Sequence, residues 1–220
     1  DIREFSIPRP ADVPELEAVI DRIEQCPKPV VAAINGIAFG GGMELAMSCH
    51  YRLAVPTASV GQPEVKLGLI PGAGGTQRLP RLAGVEAALD MIVGGDPISA
   101  EKAADLGAID EIISDGDLME AAVAYAQKQN APRPTGSIND KVTGIAPSIF
   151  EEYRKKIERR SRGMRAPFEC VNNVENATKM SIEEGLATER KIFVELRDSS
   201  ESAGMRYMFF AEREAAKIPD

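Results

Sequence analysis

Two glutamates and the glycines around them are where this sequence could do chemistry. Glu44 directly follows Met43 and the run Gly40, Gly41, Gly42 in the apolar stretch INGIAFGGGMELAMSCH, and Glu64 stands twenty residues further on in VGQPEVKLG. A carboxylate in the first turn of a helix is favoured by the unpaired N–H groups and the macrodipole, which accounts for Glu44 with no chemistry at all. Glycines just before it also let a ligand approach the backbone and leave N–H groups to hold a developing oxyanion. Pro63 removes a backbone donor and biases Gln62 toward an extended conformation beside Glu64. Two carboxylates in apolar surroundings can have their pKa values pushed apart, so that one works as a base and the other as an acid. Spacing alone leaves their separation undefined, so helix capping and surface placement stand open beside acid/base catalysis.

The other candidate residues are weaker. IPGAGGTQ, residues 70–77, lacks the lysine and glycine spacing of a phosphate-binding loop, and FGGGME lacks the spaced glycines of a dinucleotide fingerprint. A turn where backbone and ligand meet explains both more economically. His50 is the one histidine and has no neighbouring serine or cysteine motif, so a structural role is expected. Lys66 and Arg78 could meet a phosphate, although surface pairing is the simpler expectation for each.

The elements that must hold these residues alternate. Residues 12–26 carry Val13, Leu16, Val19, Ile20 and Ile23 at helical spacing. Residues 29–35 (PVVAAIN) suit a buried strand ending at the turn signal Asn35-Gly36, and a helix follows from Gly41 or Gly42. Residues 51–55 and 108–114 read as strands and 59–69 as an extended segment, with helices over 85–93, 99–106 and 118–129. The Pro/Gly/Ser punctuation of residues 131–137 marks a boundary, and residues 147–217 carry helical patterns with no convincing strand. The rhythm predicts an α/β core over 1–130 followed by a helical region over 131–220.

Composition narrows the class. With 44% hydrophobic and 27% charged residues and no long apolar run, the sequence is neither a membrane-spanning nor a disordered type. A net charge of −8 argues against nucleic acid as a partner, and the basic cluster of residues 154–165 reads as a solvated helix face. Three scattered cysteines, Cys26, Cys49 and Cys170, indicate neither a disulfide framework nor a metal site and fit a reducing, cytoplasmic setting. DIREFSIPRP carries no signal peptide and no initiator methionine, so the sequence reads as a piece of something longer.

Taken together, PVVAAINGIAFGGGMELAMSCHYRLA, VGQPEVKLGLIPGAGGTQRLPRLAG and ISAEKAADLGAID strongly resemble the enoyl-CoA hydratase/isomerase family, the crotonases, over residues 28–113. The resemblance implies a ββα superhelical spiral that binds an acyl-CoA thioester and needs no resident cofactor or metal. It implies that the Gly41 N–H is the second oxyanion donor, that Glu44 activates water and that Glu64 protonates the α-carbon. Gly40 and Gly72 are expected to line the substrate site. The family's first oxyanion donor precedes an Asp-Ile pair, here Asp1-Ile2, which places it upstream of this sequence. Keeping both glutamates favours hydration of a 2-enoyl-CoA. A 3-enoyl-CoA isomerase run by Glu64, or a non-catalytic acyl-CoA-binding module, are the competing readings.

The rear segments SIFEEYRKKIERRSRGMRAPFECVNNVENA, EEGLATERKIFVELRDSSES and MFFAEREAAKIPD resemble the hydratase half of bifunctional fatty-acid oxidation enzymes. That likeness implies a terminal linker helix leading toward an NAD-dependent 3-hydroxyacyl-CoA dehydrogenase half that this sequence does not contain. Single-function relatives assemble as trimers or paired trimers, so self-association is a further expectation.

Overall fold

The computed structural model describes residues 2–6 and 12–217. The apolar run after Pro29 forms strand β1 (Val31–Ile34), the Asn35-Gly36 turn follows, and β2 (Ile37–Phe39) leads into helix α2 (Gly41–Ser48). The next winding repeats this order with β3 (Tyr51–Ala54), β4 (Ser59–Gly61), a 3-10 turn (Glu64–Leu67) and helices α3 (Gly75–Ala83) and α4 (Val85–Gly94). The first strands of each winding pair with one another in parallel, Val31 opposite Tyr51 through Ile34 opposite Ala54. The second strands do the same, Ile37 opposite Ser59 through Phe39 opposite Gly61.

A third winding closes both sheets in a different order. β5 (Ile98–Ser99) joins β4 antiparallel, α5 (Ala100–Leu106) crosses over, and β6 (Glu111–Ile112) joins β3 in parallel. The result is two three-stranded sheets, β1-β3-β6 and β2-β4-β5, with helices issuing from the second strands. Ahead of them stand a 3-10 turn (Ile2–Ser6) and α1 (Leu16–Glu24), and behind them α6 (Leu118–Lys128), α7 (Ser148–Glu158), α8 (Ala166–Asn176), α9 (Ile182–Arg197) and α10 (Ser200–Ala215). No strand occurs in the described part of residues 147–217, as the sequence pattern predicts.

Local chemistry places several boundaries. Ser99 caps α5 by accepting from the Lys102 N–H, Asp117 caps α6 through Glu120, and Ser181 with Glu184 forms a capping box at α9. The extended segment expected over 59–69 pairs only to Gly61. Pro63 cannot donate to a ladder, and the chain tightens into the 3-10 turn ending at Gly68, whose φ is +68°. The strand expected over 108–114 pairs only at Glu111–Ile112. β2 and β5 were not predicted, because three and two residues are too few to show alternation.

The hydrophobic core is continuous, running from Ile34 and Met43 through Leu79, Leu89 and Ile92 to Phe150, Val174, Phe193 and Leu196. Helix α3 lies at its centre and is buried along its whole length. Residues 131–137 are tied back to the core: the Tyr51 hydroxyl donates to the Ala131 carbonyl at 3.1 Å and the Thr135 hydroxyl to the Met47 carbonyl at 2.7 Å. His50 is structural, accepting from the Val30 N–H at Nδ1 (2.9 Å) and meeting the Glu24 carbonyl at Nε2 (3.1 Å).

Candidate active site

Helix α2 begins where β2 ends, and the entry is made by Gly40 at φ +53°, a conformation that side-chain-bearing residues rarely take. The Gly40 N–H donates to the Gly61 carbonyl at 2.9 Å, which joins the loop before Glu44 to the loop before Glu64. The carboxylate of Glu64 lies against the bare Cα of Gly40: a Cβ there would stand 2.5 Å from Glu64 Oε1. Glu64 therefore reaches the mouth of the helix that carries Glu44. With its amide turned to satisfy its neighbours, Gln62 donates to Glu64 Oε1 at 3.2 Å and Oε2 at 3.1 Å.

The N–H groups of Gly41, Gly42 and Met43 open α2 and have no acceptor inside the helix. Gly41 is half-buried, and Leu16 of α1 comes within 3.4 Å of where its Cβ would be, so an aliphatic wall stands beside this donor.

Glu44 is buried on the same first turn. Its Oε1 accepts from the N–H groups of Ala73 (2.7 Å) and Gly75 (2.9 Å), both in the glycine-rich turn that begins α3. Both bonds fall on one oxygen. Burial raises the pKa of Glu44, opposed by these two bonds and by the Arg78 charge. Glu64 is held well above the usual carboxylate range, chiefly by burial and next by the negative charge of Glu44. Burial thus pushes both carboxyls toward holding a proton, and at Glu64 the Glu44 charge adds to that push, a setting in which base and acid roles can be divided.

The structure adds a third carboxylate that sequence reasoning passed over. Glu189, on α9, is buried and accepts from the Gly74 N–H (2.5 Å), the Thr76 N–H (2.8 Å) and, through a very short bond, the Thr76 hydroxyl. Its pKa is pushed up to about 8 by burial and then by the Glu44 charge, against the pull of the Thr76 and Gly74 bonds. The signal present in the sequence is its spacing. Glu189 lies four residues from both Gly185 and Phe193, which puts a lone charge in the inward stripe of α9.

That stripe follows the glycine-rich turn residue by residue. A Cβ on Gly185 would lie 2.2 Å from Gln77 Oε1, Glu189 grips Gly74 and Thr76, and a Cβ on Gly72 would lie 2.4 Å from the Phe193 ring. Gly72, expected at the substrate site, has its bare face covered by Phe193. Arg78 corrects an expectation: it is not a surface residue but is buried, paired with Glu24 at 2.6 Å and donating to the Ala73 carbonyl at 3.2 Å. Lys66 does pair on the surface, with Asp96 at 2.7 Å. Helix α10 lies on the turn that bears Glu64, where the Ser202 hydroxyl donates to the Leu67 carbonyl at 2.8 Å.

Two surface hollows lie away from these carboxylates. One, of about 580 Å³, runs along α1 between Ala18, Arg22 and Val30, and one of about 340 Å³ along α6 between Met119 and Gln127. Among the described residues no group of three or more His, Cys, Asp or Glu is arranged to hold a metal ion, and no helix is long and apolar enough to cross a membrane.

Residues 11–139, which contain both loops and both expected glutamates, match the model of the family described as enoyl-CoA hydratase/isomerase. The chain belongs to the enoyl-CoA hydratase/isomerase family. It is 45% identical over 221 aligned residues to the peroxisomal bifunctional enzyme of Homo sapiens, with 99% of this chain and 30% of that protein covered. It is 36% identical over 210 residues to the glyoxysomal fatty acid beta-oxidation multifunctional protein MFP-a of Brassica napus, covering 93% of this chain and 29% of that protein. The chain thus spans less than a third of the length of these curated relatives. Among solved structures, the carnitinyl-CoA hydratase of Mycobacterium avium aligns at a TM-score of 0.58 and 29% identity, covering 84% of this chain and 60% of that one. The fold is accordingly the α/β crotonase fold with C-terminal helices. The names of the two curated relatives speak of peroxisomes and glyoxysomes, not of the cytoplasm expected from the cysteines.

Proposed function

We propose that this chain is the hydratase part of a multifunctional fatty-acid β-oxidation enzyme, adding water to a trans-2-enoyl-CoA to give a 3-hydroxyacyl-CoA. The observation that carries this reading is Glu64 seated against Gly40 at the mouth of α2, the helix whose first turn carries Glu44, beside the first-turn N–H groups that have no acceptor inside the helix.

In the step so assigned, the Gly41 N–H donates to the thioester oxygen and holds the negative charge that gathers there. Glu44, ionised, takes a proton from water as the water oxygen bonds to C3 of the enoyl group. The electron pair of the C2–C3 double bond moves toward the thioester, and C2 then takes its proton from Glu64. Glu44 ends protonated and Glu64 ionised, so one proton exchange with solvent restores the site. Within this scheme Gly40 gives Glu64 its place, Gly72 belongs to the wall of the site, and the bound thioester is substrate, with no resident cofactor taking part. NAD would serve only a dehydrogenase half of the same polypeptide, toward which residues 131–220 and α10 lead. A compartment like that of the two curated relatives is consistent with three free cysteines.

The test is product analysis with the intact protein. Incubation with trans-2-enoyl-CoA is expected to yield 3-hydroxyacyl-CoA, and incubation with 3-enoyl-CoA tests the isomerase reading. Formation of 2-enoyl-CoA from the second substrate, with no hydration of the first, would replace the hydratase assignment.

A further inference from the structure

Glu189 has no part in the steps above, yet it is buried and takes three hydrogen bonds from the turn that holds Glu44. The four consecutive residues 73–76 share their N–H groups between two carboxylates by strict alternation. Ala73 and Gly75 donate to Glu44, and Gly74 and Thr76 donate to Glu189. Neighbouring N–H groups of a tight turn diverge, so a single acceptor on one side cannot satisfy all four. Without Glu189, two buried donors would be left unpaired and the turn would relax toward other partners.

We infer that Glu189 is a positioning residue for Glu44: by holding Gly74 and Thr76 from the α9 side, it aims the Ala73 and Gly75 N–H groups at Glu44 Oε1. Glu44 Oε2, which accepts no hydrogen bond among the described residues, is thereby presented to the attacking water. The inference rests on the hydratase reading for its kinetic consequence, though not for its geometry. Docking of α9 is what brings Glu189 there, since Gly185 clears space for Gln77 and Phe193 fills the space over Gly72 on the same stripe. The charged and titratable groups around the pair are Glu64 from the 3-10 turn, Arg78 from α3, Glu17 from α1 and Cys170 from α8.

The experiment is a double-mutant cycle in the intact protein, with hydration of a trans-2-enoyl-CoA as the assay. Glu189→Gln keeps the shape and removes one acceptor. It is expected to lower kcat by about 10- to 100-fold with KM within about threefold, as a misplacement of about 1 Å would. In the Glu44→Gln background the same substitution is expected to change the residual rate by less than about twofold, because it acts only through Glu44. Folded Glu189→Gln with wild-type kcat, or a loss of full size in the Glu44→Gln background, overturns the inference. If Glu189→Gln does not fold, Thr76→Val, which removes the hydroxyl with its bond to Glu189 and the one it accepts from Gln77 Nε2 while leaving the Thr76 N–H in place, carries the same cycle with a smaller loss of about threefold. If the wild-type protein hydrates nothing, the hydratase reading has failed, and amide hydrogen exchange decides separately. Faster exchange at Ala73 and Gly75 in either variant supports the positioning role, and unchanged exchange refutes it.

Discussion

Glu64 Oε1 occupies the space that a side chain on Gly40 would need, 2.5 Å from the position of its Cβ. The contact joins the two loops of the site, which are also linked by the hydrogen bond from the Gly40 N–H to the Gly61 carbonyl. Gly40→Ala therefore has two effects. It places a side chain at φ +53°, and it pushes Glu64 away from the mouth of α2. The expected outcome is a loss of about 1–3 kcal/mol in unfolding free energy, the usual cost of a side chain held in a sparsely populated backbone region, read by urea denaturation. A fall in kcat of at least about 10-fold should accompany it in the hydration assay.

A similar argument at Gly72 concerns its packing against Phe193. A Cβ there would lie 2.4 Å from two atoms of the Phe193 ring, which is itself backed by Phe5 at a ring separation of 5.8 Å. Gly72→Ala is expected to destabilise the fold by about 1–3 kcal/mol, the usual cost of overpacking. Combining it with Phe193→Leu should cost less than the two single changes added together, since the smaller side chain makes room. Chemical denaturation of the three variants measures this.

Glu189 makes stability depend on pH with a definite sign. Its folded-state pKa of about 8 exceeds its ordinary value of 4.5, so the folded protein binds this proton more tightly than the unfolded chain. Its stabilising contribution is fully present below pH 4.5 and fades as the pH rises to about 8. Glu189→Gln has no proton to lose there. The stability of the wild type relative to this variant is therefore expected to fall between pH 5 and pH 8.5, as measured by urea midpoints across that range.

Asp110 provides a test remote from the site. It accepts from the Arg52 backbone N–H at 2.7 Å, meets the Arg52 guanidinium at 3.4 Å and pairs with Arg133, while Arg52 itself is wholly buried. Asp110→Ala leaves a buried guanidinium with only the carbonyls of Cys49, Ala108 and Ala46. A loss of about 3–5 kcal/mol is expected, as for other buried pairs broken on one side. Thermal and urea unfolding of the variant would reveal it.

The sequence disclosed the windings better than their seams. Helices α4, α5 and α6 were legible within a residue or two because apolar periodicity and capping residues coincide at Ser99 and Asp117. β2 and β5 were not, since their placement comes from pairing with β4 and not from any local pattern. Glu44 and Glu64 stood out as charges in apolar text, but nothing local states that Glu64 folds back onto Gly40. Glu189 was hidden for the opposite reason. It lies in an ordinary charged helix, and its partners Gly74 and Thr76 are more than a hundred residues away. Arg78 was misjudged as exposed because burial of the whole of α3 is a tertiary effect.

The central claim is that Glu44 and Glu64 divide the work of adding water to an enoyl thioester. The most direct measurement is the hydration rate of a trans-2-enoyl-CoA at saturating concentration for the wild type, Glu44→Gln and Glu64→Gln, each verified as folded. The account predicts that each variant loses about 10²- to 10⁴-fold in kcat while still binding the acyl-CoA. A folded Glu44→Gln or Glu64→Gln that hydrates at the wild-type rate would contradict it.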